Sequence, residues 1–349
     1  MPGWAVPSPV ATLTGERVRV RGISISRSVC ERLPTQPAPG GVLAVFERSC
    51  LLVPNGGEPL SLVLPELGDG PLNVVVEAGT GAFASIEPGM MASLSRASLR
   101  AGPLAVDLAP ARTWEPRPDW PVLSNLQLTS RGLRRCANRQ KQAPRNDNSA
   151  ESEAAHLQPR LDRVLAAALR QAPRGSLLDL LENGAGGRGV MGQTLEVARQ
   201  AAEALAAGWA GDVAALRRGA ERLAGLGVGL TPSGDDFLAG FMLRAWLAHS
   251  EPEPFCHHVV EAAAPRTTAL SAAFLRAAAR GECSAAWHVL LAALAGPGPA
   301  PLDEAVGGVL AHGHTSGADM LAGFLWSPSK ITTARRGSQS AGSGTSAGL

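Results

Sequence analysis

The hydrophobic period changes partway along this chain, and that change limits the folds open to it. Arg17 to Ser26 reads RVRVRGISIS, with polar and apolar residues alternating. That is the period of a half-buried strand. From Leu157 onward the spacing is helical, with Leu157, Leu161, Val164, Leu165 and Leu169 on one face. One continuous parallel sheet running through both halves does not fit this division.

Before the change, short apolar runs lie at Val42–Phe46, Cys50–Val53, Leu60–Leu64, Leu72–Val76, Met90–Leu94 and Leu104–Leu108. Gly and Pro break them up, and Asn55-Gly56-Gly57 supplies hairpin chemistry. After the change, Ala-rich segments at 194–207, 212–224, 235–248, 267–280, 283–295 and 302–311 are punctuated by Gly or Pro. The expected class is α+β: a small N-terminal β-barrel or sandwich-like domain, then an all-helical C-terminal domain. The expected division is an extension over 1–16, a β-rich domain over 17–128, a polar linker or insert over 129–156, the helical domain over 157–326 and a disordered, dispensable tail over 327–349.

Charge excludes some functions. Lys and Arg number 32 against 30 Asp and Glu, so a dedicated nucleic-acid binder is not expected. The basic cluster Arg131, Arg134, Arg135, Arg139 and Lys141 has no interleaved aromatics and reads as a solvated loop. Five dispersed cysteines without CxxC spacing fit a reducing compartment better than a disulfide framework. The first residues, MPGWAVPSPV, lack the basic and apolar regions of a signal peptide. The longest apolar run, Phe237 to Ala248, carries Arg244 and is short of the ~20 residues a membrane helix needs. A cytoplasmic protein without membrane or nucleic-acid partners is expected.

Gly184 to Gly189 satisfies GxGxxG, but the segment ahead of it, Leu177 to Glu182, reads as helix rather than strand. A dinucleotide fingerprint needs the strand, so this segment reads as a helix end and loop.

The most informative signal is an internal repeat. Residues 229–241 read GLTPSGDDFLAGF and 313–324 read GHTSGADMLAGF; with Pro232 dropped, nine of twelve positions are identical. Each copy is a turn, then Ser-Gly-x-Asp, then an apolar helix. In one reading these are capping boxes: Ser233 and Ser316 as N-caps with Asp236 and Asp319 reaching back, or Thr231 as cap with Pro232 at N1. In the other, the turns form a ligand site. Gly234 and Gly317 then open backbone N–H groups to a small anion, with Gly229 in the Gly-rich loop ahead. Asp235 and Asp236 exceed what a cap requires. They either hold a divalent cation such as Mg²⁺ against the anion or hold an N–H-rich carbamoyl group while the backbone N–H groups hold the anionic end. Gly240 and Gly323, equivalent within their helices, point to close approach by another helix, the partner copy across a pseudo-twofold. His312, His314 and Asp319 offer a metal alternative, and Arg266, ahead of Thr267, Thr268 and Ser271, offers a clamp for a carboxylate or phosphate.

The run Gly227 to Gly240 (GVGLTPSGDDFLAG) resembles the hallmark of a bacterial family typified by AllH, a subunit of oxamate carbamoyltransferase in anaerobic allantoin degradation, a branch of purine catabolism. Arg266-Thr267 with Ser271, Gly313 to Asp319, and Ala111 to Pro116 (ARTWEP) are similar to further family segments. The resemblance spans roughly 40–326. It implies a subunit acting in carbamoyl transfer, oxalurate plus phosphate giving oxamate plus carbamoyl phosphate or a related reaction. It also implies partner subunits, one acyl-CoA-synthetase-like and one from another family.

On this reading Ser233, Asp235, Asp236 and Asp319 carry the chemistry. Gly229, Thr231, Gly234, Arg266, Thr267, Ser271, His314, Thr315, Ser316 and Gly317 bind substrate. No cofactor is required beyond Mg²⁺ at Asp235 and Asp236 in the metal-bridged version. A non-catalytic scaffold and a metal-dependent hydrolase are the competing readings.

Overall fold

The computed structural model describes residues 18–124, 150–182, 190–296 and 301–326. The basic cluster, the GxGxxG segment, the extension and the tail fall outside them. The chain forms two compact units, Met1–Trp114 and Glu115–Leu349.

The first unit is a closed eight-stranded barrel with an added strand. In chain order it comprises β1 (Val18–Ser26), α1 (Arg27–Arg32), β2 (Ala38–Val45), β3 (Ser49–Pro54), β4 (Leu60–Val63), β5 (Asn73–Val76), β6 (Met91–Leu94), β7 (Ser98–Ala101), β8 (Leu104–Asp107) and β9 (Arg112–Trp114). Strands neighbour one another in the order β5-β4-β3-β2-β6-β7-β8-β1-β9, and β1 also pairs with β5, closing the ring. The first part of β1 runs parallel to β8 (Val18↔Leu104), and its later residues run antiparallel to β5 (Ser24↔Val75). Register shifts between Gly22 and Ser24, where the RVRVRGISIS alternation changes phase at Gly22. An extra residue in a strand produces this pattern and bends it, as closure of a small barrel requires. Leu52, Leu62, Leu94, Leu99, Leu104 and Val106 belong to one buried core.

β7, β9 and α1 have no counterpart among the apolar runs of the sequence. β7 reads SLRA and β9 RTW. Each is too short and too polar for period-2 patterning to mark it.

The second unit is helical: α2 (Ala150–Gln171), α3 (Val190–Trp209), α4 (Val213–Leu223), α5 (Ser233–Ala248), α6 (Pro252–Ala263), α7 (Ala269–Ala279), α8 (Ala285–Ala295), α9 (Leu302–Leu310) and α10 (Ser316–Leu325). Its boundaries differ from the sequence division in two places. α2 starts at Ala150, inside the expected 129–156 insert, because Ala150 to His156 (AESEAAH) consists mostly of good helix formers. At the other end, residues from Glu115 onward pack with the helices. Trp120 is buried, its indole N–H donates to the Gly281 carbonyl at 2.8 Å, and it stacks on Trp246 with ring centroids 6.1 Å apart. A buried Trp needs such an acceptor, and α7's C-terminal end provides it.

Among the described residues no helix is long and apolar enough to cross a membrane.

Candidate functional site at the paired turns

α5 and α10, the two repeat helices, form the most intimate helix pair of the second unit. A Cβ placed on Gly240 would lie 1.8 Å from the Met320 carbonyl oxygen, and one on Gly323 would lie 1.9 Å from that of Phe237. Met320 and Phe237 are themselves equivalent repeat positions, so each glycine faces the same point on the opposite copy. The expected pseudo-twofold is therefore present, and the backbones meet because neither copy carries a side chain there.

The Thr231 hydroxyl lies 3.1 Å from that of Ser316 at the helix starts, while Gly240 meets Met320 further along. The helices therefore run parallel with both N-termini at one end, where their positive dipole ends add.

The capping boxes do not form. The residues at the N-cap positions are Pro232 and Thr315, and neither helix has a side-chain cap hydrogen bond. Each carboxyl turns to the other copy instead. The hydroxyls of Ser316 and Thr231, which hydrogen-bond to each other at 3.1 Å, lower the pKa of Asp236, and those of Ser233 and Thr315 lower that of Asp319. The serine of each Ser-Gly-x-Asp thus serves the aspartate of its partner, and Pro232 is spared a capping role it has no side chain to perform.

Gly234 and Gly317 do not open the backbone to a ligand. A Cβ on either would fall 2.1 Å from a carbonyl oxygen at the end of the preceding helix, Leu223 and Val309 respectively. Their N–H groups donate to Leu226 and His312 carbonyls at 2.8 and 3.1 Å. Packing against the preceding helix explains both glycines.

The three carboxylates differ in surroundings. Asp235 accepts from the Gly225 N–H at 3.1 Å and from the Thr267 hydroxyl, while the Ser271 hydroxyl donates to Leu230 O at 3.3 Å. Asp235 ties the Gly-rich loop to the start of α7. Thr268 caps that helix through the Ser271 N–H at 3.0 Å and donates its hydroxyl to Leu230 O at 2.6 Å. Asp319 is fully buried and accepts from the Leu177 N–H at 2.6 Å. Asp236 is 8% exposed. One oxygen on each of Asp236 and Asp319, the Oδ2, is buried without a hydrogen-bond partner. A buried acceptor left unmatched costs about 1–3 kcal/mol.

Burial pushes all three carboxyls above the usual range, Asp236 furthest. Its neighbours Asp319 and Asp235 add to the shift, partly offset by the Ser316 and Thr231 hydroxyls. Asp179, on the turn Leu177–Leu181, raises Asp319 in addition to burial. Sequence reading missed Leu177 and Asp179 and gave Thr268 no capping role. The first two act across a long loop closure that no local pattern reveals.

Other expected site residues lie elsewhere. Arg266 is exposed and pairs with Glu221 at 3.5 Å. His314 and Gly229 are exposed, and Gly229 adopts φ 96°, as turn geometry requires. His312 is half-buried with its ring nitrogen 3.4 Å from Gly308 O, and burial lowers its pKa. No group of three His, Cys, Asp or Glu side chains suited to a metal ion occurs among the described residues. The expected His312–His314–Asp319 metal arrangement is therefore not assembled, while a two-carboxylate site at Asp235 and Asp236 falls below that number of ligands.

Residues 223–327 match the AllH family model, described as oxamate carbamoyltransferase subunit AllH. The resemblance read from the repeat thus holds over the matched segment, which runs from the end of α4 through α10. Ala111 to Pro116 lies outside the matched residues. No solved structure matches the chain.

Proposed function

We propose that this chain is a subunit of a carbamoyltransferase-type complex that holds a small anionic carbamoyl compound at the paired turns. The observation that carries the reading is the convergence of the two Ser-Gly-x-Asp turns, with Thr231 and Ser316 3.1 Å apart inside the matched segment. Two capping boxes with no further role can lie anywhere; a shared site needs both helix starts at one place.

In the reaction implied by the family description, a phosphate oxygen attacks the carbamoyl carbon of oxalurate. The bond from that carbon to the oxamate nitrogen breaks, and the nitrogen takes a proton. Asp236, whose carboxyl burial raises well above the usual range, is placed at the helix starts to pass a proton to that nitrogen. The hydroxyls of Thr231, Ser233, Thr315 and Ser316 orient the ligand, and the positive dipole ends of the two helices favour the developing negative charge. Asp235, with both oxygens engaged, positions the loop. Acyl-CoA-synthetase-like and other subunits complete the assembly, in the cytoplasm.

Co-purification followed by a carbamoyl-transfer assay of the complex tests this. The expected result is transfer by the complex and a fall of at least about 100-fold with Asp236→Asn. Full activity in that variant favours a scaffold.

A further inference from the structure

The barrel carries a groove on its outer face. β2, β6, β7, β8 and β1 are consecutive neighbours, and their registers set Pro39, Ser93, Arg100, Ala105 and Arg19 in one row across them. Pro39, Met91, Ser93, Arg100, Pro103 and Ala105 line a cavity of about 470 Å³ over the first four of these strands. Ser93 and Ala105 are small, and Met91 beside them is 73% exposed. We propose that this groove seats the chain's own residues 1–16, with Val10 and Leu13 as the apolar anchors.

The chain enters β1 at the wall of the groove. Val18 pairs with Leu104, and its N–H donates to the Pro103 carbonyl at 3.2 Å. From β1 across to β2 is four strand spacings, about 19 Å. Extended chain covers about 3.3 Å per residue. Leu13, five residues ahead of Val18, therefore reaches about 17 Å, and Val10 about 26 Å. Residues 1–16 read MPGWAVPSPVATLTGE, in which Glu16 is the one charged side chain. β6, β7 and β8 are hydrogen-bonded to a neighbour on each side, so an occupant of this face docks by side chains and not by adding a strand. Pro2, Pro7 and Pro9 suit such docking, because they carry no N–H to leave unmatched and their fixed φ lowers the ordering cost. Arg100 lays its stem along an apolar occupant while its guanidinium stays in water. The short tether holds the segment at an effective concentration of millimolar order, so a weak contact is enough.

A fluorescently labelled peptide of residues 1–16, titrated with the full-length chain and with a variant lacking residues 2–16, tests this. The truncated chain is expected to bind the peptide at least about tenfold more tightly than the full-length chain, whose own segment competes for the groove. Ala105→Trp, which fills the groove from a half-buried position, should abolish binding by the truncated chain. Melting curves check that each variant folds. Where the truncated chain misfolds, the full-length double variant Val10→Ser with Leu13→Ser takes its place and should likewise bind the peptide more tightly than the wild type. Absence of binding to the truncated or doubly substituted chain, binding equal to that of the wild type, or binding untouched by Ala105→Trp each overturns the proposal.

Discussion

Gly240 and Met320 meet backbone to backbone, with no room for a single methyl group between them: a Cβ on Gly240 would sit 1.8 Å from the Met320 oxygen. The reciprocal contact of Gly323 with Phe237 sets the spacing of α5 and α10, and so the distance between the two turns at their N-termini.

Gly240→Ala and Gly323→Ala should each therefore destabilise the protein by about 1–3 kcal/mol or more, despite alanine's higher helix propensity. Gly79→Ala, with nothing within 4 Å of its added Cβ, should change stability by less than about 0.5 kcal/mol. Thermal or urea unfolding reads both. Stabilisation by Gly240→Ala would contradict the close packing.

Gly234→Ala should behave in the same way. A Cβ 2.1 Å from the Leu223 oxygen forces α4 and α5 apart, at about 1–3 kcal/mol. A variant with unchanged melting temperature and lost binding would instead restore the ligand-approach role that the sequence proposed for this glycine.

Stability should fall as pH rises. Folding raises the pKa of Asp235, Asp236 and Asp319 through burial, so the folded state binds these protons more tightly than the unfolded chain. Their contribution is full below the unfolded pKa of about 3.9 and is lost as pH rises through the higher folded values. Asp236→Asn removes the largest part of this dependence. It should be near neutral in stability at pH 4 and stabilising at pH 8 by on the order of 1 kcal/mol. Denaturant titrations at the two pH values check this; parallel curves for wild type and variant would contradict it.

Trp120→Ala should cost about 3–5 kcal/mol, because the indole fills the core of the helical unit and donates to Gly281. A fragment beginning at Glu115 should melt higher than one beginning at residue 129. Equal melting temperatures would return residues 115–124 to the barrel side of the boundary.

Much of the fold was legible where a periodic pattern is long enough to read. The alternation in β1 and the stripe from Leu161 to Leu169 announced a β unit and a helical unit. β7 and β9 were not legible, because four or three residues cannot display a period. The repeat exposed the equivalence of Gly240 with Gly323 and of Asp236 with Asp319. It could not say that each serine serves the other copy's aspartate, since a capping box and a crossed pair share one local sequence. Arg266 shows a related limit: a motif fixes where a side chain starts, whereas an exposed guanidinium ends wherever a carboxylate such as Glu221 stands.

The central claim is that two turns make one site, and a double-mutant cycle on oxamate binding tests it most directly. Titrations of the wild type, Asp236→Asn, Asp319→Asn and the double variant, each checked for folding by its melting curve, give the coupling energy. The account predicts non-additivity of about 1 kcal/mol or more, as expected for groups sharing one ligand. Additivity within about 0.3–0.5 kcal/mol would mean that the aspartates act independently and would contradict a shared site.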